Sequence, residues 1–92
     1  MARDAVLIDE KDNVATAIRD LSPNTKVSIQ NGDERIQVAL TQSIPFGHKF
    51  CVRRIPSGGE VVKYGEVIGT ATADINPGDL VHVHNVRSER GR

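Results

Sequence analysis

The sequence predicts a mostly-β domain with one short N-terminal helix. Three observations carry that expectation. Apolar and polar residues alternate at Val27 and Ile29, and again at Ile36, Val38 and Leu40, around an Asn31-Gly32 turn. One sharp-corner pattern recurs along the chain. Helical spacing occurs in a single stretch, at Val14, Ile18 and Leu21.

Taken in order, Ala5-Val6-Leu7-Ile8 is a short apolar run suited to a buried strand. Asp12 is placed to cap the helix that carries Val14, Ile18 and Leu21, and Pro23 ends it. Residues 26–40 form the predicted hairpin. Further strands are expected at 50–55, 66–72 and 80–86. The corner pattern is an apolar residue, a tight-turn centre, and a second apolar residue six positions on. It appears as Leu21-Ser22-Pro23-Asn24-Thr25-Lys26-Val27, as Ile44-Pro45-Phe46-Gly47-His48-Lys49-Phe50, as Ile55-Pro56-Ser57-Gly58-Gly59-Glu60-Val61 and as Ile75-Asn76-Pro77-Gly78-Asp79-Leu80-Val81. Proline presets φ early in the turn, and glycine or asparagine accepts a left-handed fourth position. Both flanking apolar residues are then free to point inward and pin the corner to the core. The copies are unequally spaced, which argues against a stacked solenoid. One domain over residues 1–88 and a polar tail at 89–92 are expected.

A 92-residue chain buries a limited share of its surface, so a roomy, self-contained active site is not expected. Acidic and basic residues balance at 12 each, which gives no electrostatic reason for a nucleic-acid or anionic-membrane partner. The aromatic residues are Phe46, Phe50 and Tyr64, too few for a base-stacking platform. The single cysteine, Cys51, excludes an internal disulfide framework. Its apolar neighbours Phe50 and Val52 point to a buried, inert thiol. No signal-peptide pattern and no span-length apolar run is present, so the simplest reading is a soluble cytoplasmic protein.

Three segments could carry chemistry. In Val81-His82-Val83-His84-Asn85-Val86, a continuous strand would put His82 and His84 on one face about 7 Å apart, close enough to converge on one metal ion or anion. Asn85 would then face the valine side, or sit at the strand end with its amide capping a turn. The alternative for both histidines is a solvated polar face. His48, in a turn beside Lys49, could move a proton or help hold a carboxylate, against the alternative of an ordinary exposed turn. Lys63-Tyr64-Gly65-Glu66-Val67-Ile68-Gly69 marks a bent or closely approached backbone with Lys63 and Glu66 at either side, or else a salt-bridged corner.

Ile44 to Phe50, Lys63 to Gly69 and His82-Val83-His84-Asn85-Val86, together with the early Asp12-Asn13-Val14-Ala15, resemble the successive motifs of the amino-terminal domain of the altronate/galactarate dehydratase family. The likeness covers nearly the whole chain in the same order. Its separate-subunit form resembles the small subunit of sulfolactate sulfo-lyase. The resemblance implies a SAF domain with the β-clip fold, a long bent hairpin folded over itself.

It also implies a lyase, inactive without its large subunit: a small subunit or N-terminal domain of a metal-dependent dehydratase that removes water from sugar acids. His48, His82 and His84 would be the catalytic residues, facing a cleft completed by that subunit, with the role of each left open. Lys49, Lys63 and Asn85 would contact the sugar-acid substrate. A divalent metal, iron or manganese, would be held jointly with the large subunit, His82 and His84 being this chain's ligands. Self-association is left open, as is a non-catalytic SAF-type binding module or a sulfolactate sulfo-lyase small subunit.

Overall fold

Two corner pairs organise the molecule. In the computed structural model, which describes residues 4–31 and 33–88, Leu21 bridges Ile44 and Ile55 bridges Ile75. The first residue of every predicted corner therefore meets the first residue of another. Each bridge is reciprocal. Leu21 and Ile44 exchange backbone hydrogen bonds of 2.9 Å, and Ile55 and Ile75 exchange bonds of 2.8 Å. The fourth residue of each corner has positive φ: Asn24 (68°), Gly47 (83°), Gly58 (86°) and Gly78 (96°).

The flanking residues Leu21, Val27, Ile44, Phe50, Ile55, Val61, Ile75 and Val81 are all buried. Burying a large apolar side chain stabilises by about 1.5–3 kcal/mol, which exceeds the ~1–2 kcal/mol cost of a left-handed residue with a Cβ. Only Asn24 carries that cost among the four.

The described strands are β1 (Ala5–Val6), β2 (Val14–Ala17), β3 (Lys26–Asn31), β4 (Glu34–Ala39), β5 (Lys49–Cys51), β6 (Glu60–Lys63), β7 (Glu66–Ala71), β8 (Leu80–Val81) and β9 (Val86–Ser88). They form antiparallel sheets in the orders β1-β2-β5-β8, β3-β4 and β6-β7-β9. The mostly-β class and the hairpin over residues 26–40 stand as expected. Gly32 of the hairpin turn and the 89–92 tail lie outside the described residues.

The expected N-terminal helix does not form; no helix occurs among the described residues. Residues 14–17 are instead β2, a central strand paired with β1 on one side and β5 on the other. Both of its faces are buried. Ala15 and Ala17 join one core with Phe50, while Val14 joins the other with Cys51. A strand dry on both faces loses the alternation that identifies strands, and the helical spacing at Val14, Ile18 and Leu21 was accidental. Asp12 caps no helix. Its buried carboxylate accepts backbone N–H bonds from Asp9 (3.1 Å) and Gly65 (2.8 Å), tying the N-terminal turn to the β6–β7 hairpin.

Three further strands differ from expectation. The buried strand expected over residues 5–8 stops at Val6, and Ile8 is exposed. The strand expected at 50–55 stops at Cys51, because Val52 to Arg54 bend into the next corner. The strand expected at 80–86 breaks after Val81 and resumes as β9. The sequence also left β6 unassigned; it pairs with β7 across a register shift at Val61 and Val62.

Candidate functional site

The break between β8 and β9 shapes the site. Asn85 uses both ends of its side chain there: Oδ1 accepts from the His82 backbone N–H (3.0 Å) and Nδ2 donates to the Leu80 carbonyl (2.8 Å). Its own N–H donates to the His82 carbonyl at 3.1 Å. These bonds close residues 82–85 into a turn, as short amide side chains commonly do. The capping alternative for Asn85 is thus the one that forms. His82 and His84 do not occupy alternate positions of one strand, which corrects the same-face arrangement expected for them.

His82 pairs instead with the third histidine. Lys49 is in register with Val81 across the β5–β8 ladder, so the next residues outward, His48 and His82, lie opposite each other. Their ring centroids are 5.0 Å apart and the planes are inclined at 43°. The His48 backbone is fixed from both sides: its N–H donates to Pro45 (3.0 Å) and its carbonyl accepts from Ala17 (2.9 Å).

Beside this pair a cleft of roughly 380 Å³ opens between the β5–β8 edge and the β6–β7–β9 sheet. Lys49, Lys63, His82, Tyr64 and Glu66 supply its polar or amphipathic lining, and Ile68, Val81 and Val86 supply apolar wall. Lys63 closes β6 and lies over the Tyr64 ring, 4.7 Å from its centroid. Tyr64 (φ 56°) and Gly65 (φ 75°) form the two-residue hairpin turn, both with positive φ as a type I′ turn requires. Their position is held by Asp12, through Gly65 N–H. The salt-bridged corner considered for Lys63 and Glu66 is not what forms. Among the described residues neither Lys49 nor Lys63 has an ion-pair partner.

The electrostatics of the cleft favour an anion. Partial burial, and then the nearby Lys63 charge, push the Lys49 ammonium below the usual lysine range. Desolvation penalises a charged group, and a neighbouring like charge adds to the penalty. An anion between the two ammonium groups would relieve both. Cys51 lies elsewhere, fully buried with Sγ donating to the Arg53 carbonyl at 2.9 Å. Burial pushes its thiol up to about 12, so the inert thiol expected from sequence is what forms.

Of the expected site residues, the fold therefore brings together His48, Lys49, Lys63 and His82. His84 is exposed on the turn and is absent from the cleft lining, and Asn85 is engaged within the turn. Tyr64 and Glu66 join the cleft without having been singled out as site residues. The signal for them was present: Tyr64-Gly65 between two apolar runs is a two-residue hairpin loop that swings both neighbours to one end of the sheet. Among the described residues no three His, Cys, Asp or Glu side chains are grouped to hold a metal ion, and no helix is long and apolar enough to cross a membrane.

The sequence matches the profile of the altronate/galactarate dehydratase SAF domain over residues 3–89. It is 45% identical to altronate dehydratase of Escherichia coli (strain K12) over 83 residues, which is 90% of this chain and 16% of that protein. It is 34% identical to galactarate dehydratase (L-threo-forming) of the same organism over 83% of this chain and 14% of that protein. Against (2R)-sulfolactate sulfo-lyase subunit alpha of Paracoccus pantotrophus, identity is 36% over 70% of this chain and 92% of that subunit. The chain thus spans a minor part of the dehydratases it matches and most of a separate lyase subunit.

Proposed function

The chain belongs to the altronate/galactarate dehydratase SAF-domain family, and from that premise we propose that it supplies the carboxylate-gripping part of a lyase acting on hydroxylated acids, completed by a larger catalytic portion. The observation that carries this reading is the cleft: two ammonium groups without ion-pair partners among the described residues, one of them depressed by burial, beside two facing imidazoles. A sugar acid offers a carboxylate and several hydroxyls. Lys49 and Lys63 neutralise the carboxylate by charge-assisted hydrogen bonds.

The carbon next to that carboxylate holds a weakly acidic proton, and its removal leaves an enediolate whose charge the same ammonium groups stabilise. His82, on the cleft wall, takes that proton and returns it to the β-hydroxyl, whose C–O bond breaks as water leaves. Glu66 opposite bounds the space the hydroxylated chain occupies. A divalent ion, iron or manganese, supplies Lewis-acid charge to such an elimination when bound. The larger portion would have to hold such an ion, because among the described residues no three His, Cys, Asp or Glu side chains are grouped to do so.

Separate subunits of matching extent among the sulfo-lyase relatives favour a second reading at the same cleft, with sulfite as the leaving group in place of water. Both share the carboxylate grip, and both place the reaction outside this chain alone.

The test is reconstitution. The chain is combined with the larger dehydratase portion and assayed for elimination from a panel of sugar acids and from sulfolactate. Activity is expected only with both components. Lys49→Met and Lys63→Met should each lower kcat/KM by about 10–100-fold, the worth of one charge-assisted hydrogen bond. Full activity of the larger portion without this chain, or of the Lys49→Met, Lys63→Met double variant, refutes the reading.

A further inference from the structure

We infer that Asn13 is a positioning residue: it fastens the outer edge of β6 so that Lys63 is held at the cleft. The inference rests on the carboxylate grip proposed above and assigns the residue that places one of its two ammonium groups. Asn13 is itself absent from the cleft lining.

The β6–β7 hairpin needs such a fastening. Its base is anchored by Val61 and Ala71, which are buried in one core. Its tip is not: Lys63 is half-buried, and Tyr64, Gly65, Glu66 and Val67 are exposed. β6 is the outer strand of its sheet, so alternate backbone groups along it face away from β7 and take partners elsewhere. The register also shifts between Val61 and Val62, where the base gives way to the tip. A bulge disrupts the ladder locally and bends the strand, so the base alone does not aim the tip.

Asn13 supplies the partners at that point. Its Oδ1 accepts from the Val62 N–H (2.8 Å), and its Nδ2 donates to the Glu60 carbonyl (2.9 Å). Its backbone N–H donates to the Val62 carbonyl (3.2 Å). Both main-chain groups of Val62 are thereby held, one residue before Lys63. Asn13 is fixed in turn, since its carbonyl accepts from the Val52 N–H (2.9 Å) and it directly precedes the central strand β2. Beyond Lys63 and Tyr64, the Gly65 N–H is bonded to Asp12. Lys63 therefore leaves a backbone pinned on both sides. Among the described residues these are the hydrogen bonds that hold the tip from outside its own sheet. A carboxamide suits the task because it carries an acceptor and a donor on one short plane. An ammonium on a long flexible stem serves a carboxylate only as well as its backbone places it, and a misplacement of about 1 Å can cost up to about 100-fold in rate.

The test is a double-mutant cycle between Asn13 and Lys63. The Lys49 ammonium is first titrated by NMR in the full chain. The Lys63 charge helps to lower Lys49, so a tip that moves away lets the Lys49 midpoint rise. Asn13→Ala is expected to raise it, as Lys63→Met does, and to add nothing further in a Lys63→Met chain. With the larger portion added, Asn13→Ala should lower kcat/KM about tenfold in the unaltered chain and less than about twofold in the Lys63→Met background. Should Asn13→Ala lose the native amide spectrum, Asn13→Ser, which stays neutral and polar, is read in the same cycle. An unmoved Lys49 midpoint overturns the assignment. So do equal effects of the Asn13 substitution with and without Lys63, because a merely loosened fold acts in both backgrounds. A cycle that closes on Lys49 in a chain that fails to reconstitute elimination leaves the positioning role standing and removes the lyase reading.

Discussion

The two corner pairs share one hydrogen-bonding scheme and differ in what they display. Residues 17–25 correspond to 71–79, and residues 40–48 to 51–59. Asp20 Oδ1 accepts from Phe46 N–H as Asp74 Oδ1 accepts from Ser57 N–H, each at 2.8 Å. Asn24 N–H donates to Leu40 as Gly78 N–H donates to Cys51, and Gly47 N–H donates to Ala17 as Gly58 N–H donates to Ala71. Each pair nucleates its own core. Leu21, Val27, Ile44 and Phe50 lie in one, and Ile55, Val61, Ile75 and Val81 in the other.

Yet the positions that hold His48 and Lys49 in the first pair hold Gly59 and Glu60 in the second. The lesson is a division of labour within one motif. The first, fourth and seventh residues of a corner build the fold, and in the His48–Lys49 corner the fifth and sixth carry the site's side chains.

Breaking each half separately tests the comparison. The largest effects are expected from Ile44→Ala and Ile75→Ala, each losing about 2–5 kcal/mol by chemical denaturation, as large-to-small core changes do. Because the two residues lie in different cores, the double variant should lose about the sum, within ~0.5 kcal/mol. A clear departure from additivity would merge the two cores into one.

Next in size is a contrast between two corner glycines of the second half. A Cβ at Gly78 would sit 2.1 Å from the Ala39 carbonyl oxygen, whereas one at Gly58 meets nothing within 4 Å. Both share positive φ, so Gly58→Ala should cost only the left-handed penalty of about 1–2 kcal/mol, and Gly78→Ala about 2–5 kcal/mol through the added clash. Equal losses would show that φ alone matters there. Asp20→Ala and Asp74→Ala should then lose similar amounts, about 1 kcal/mol each, if the paired clips are equivalent.

The smallest difference is one of pH. Leu40 in the first half stands where the second has Cys51. Burial raises the folded thiol's pKa from 9.0 to about 12. Between those values the unfolded chain releases a proton that the native chain keeps, so stability falls as pH rises through that window. Denaturation curves at pH 7 and pH 10 should show a drop in the unaltered chain that is smaller in Cys51→Ala. An identical drop in both would place its origin elsewhere.

Much of this was legible in the sequence. The corners were readable because proline, the left-handed residue and the two inward flanks act locally, and every copy folds as its spacing dictates. The hairpin over residues 26–40 was readable because its two faces differ in polarity. Where burial removes that difference, the signal failed: β2, dry on both faces, imitated a helix. The site was legible by residue type and not by partner. His48, Lys49, Lys63 and His82 were all singled out, but which histidines face one another depends on the β5–β8 register, a contact more than thirty residues apart in sequence. The break after Val81 depends on Asn85 outcompeting a ladder bond, and of its two alternatives sequence could not select one.

One buried carboxylate deserves a mechanical reading. Asp12 grips Gly65 from a segment only a few residues downstream of β1, and the Asp9 side chain lies against the same glycine. A shift of the Asp9–Asp12 turn is therefore passed directly to the hairpin tip that carries Lys63 and Tyr64. A change at Asp12 would thus be felt in the cleft, although Asp12 is no part of its lining.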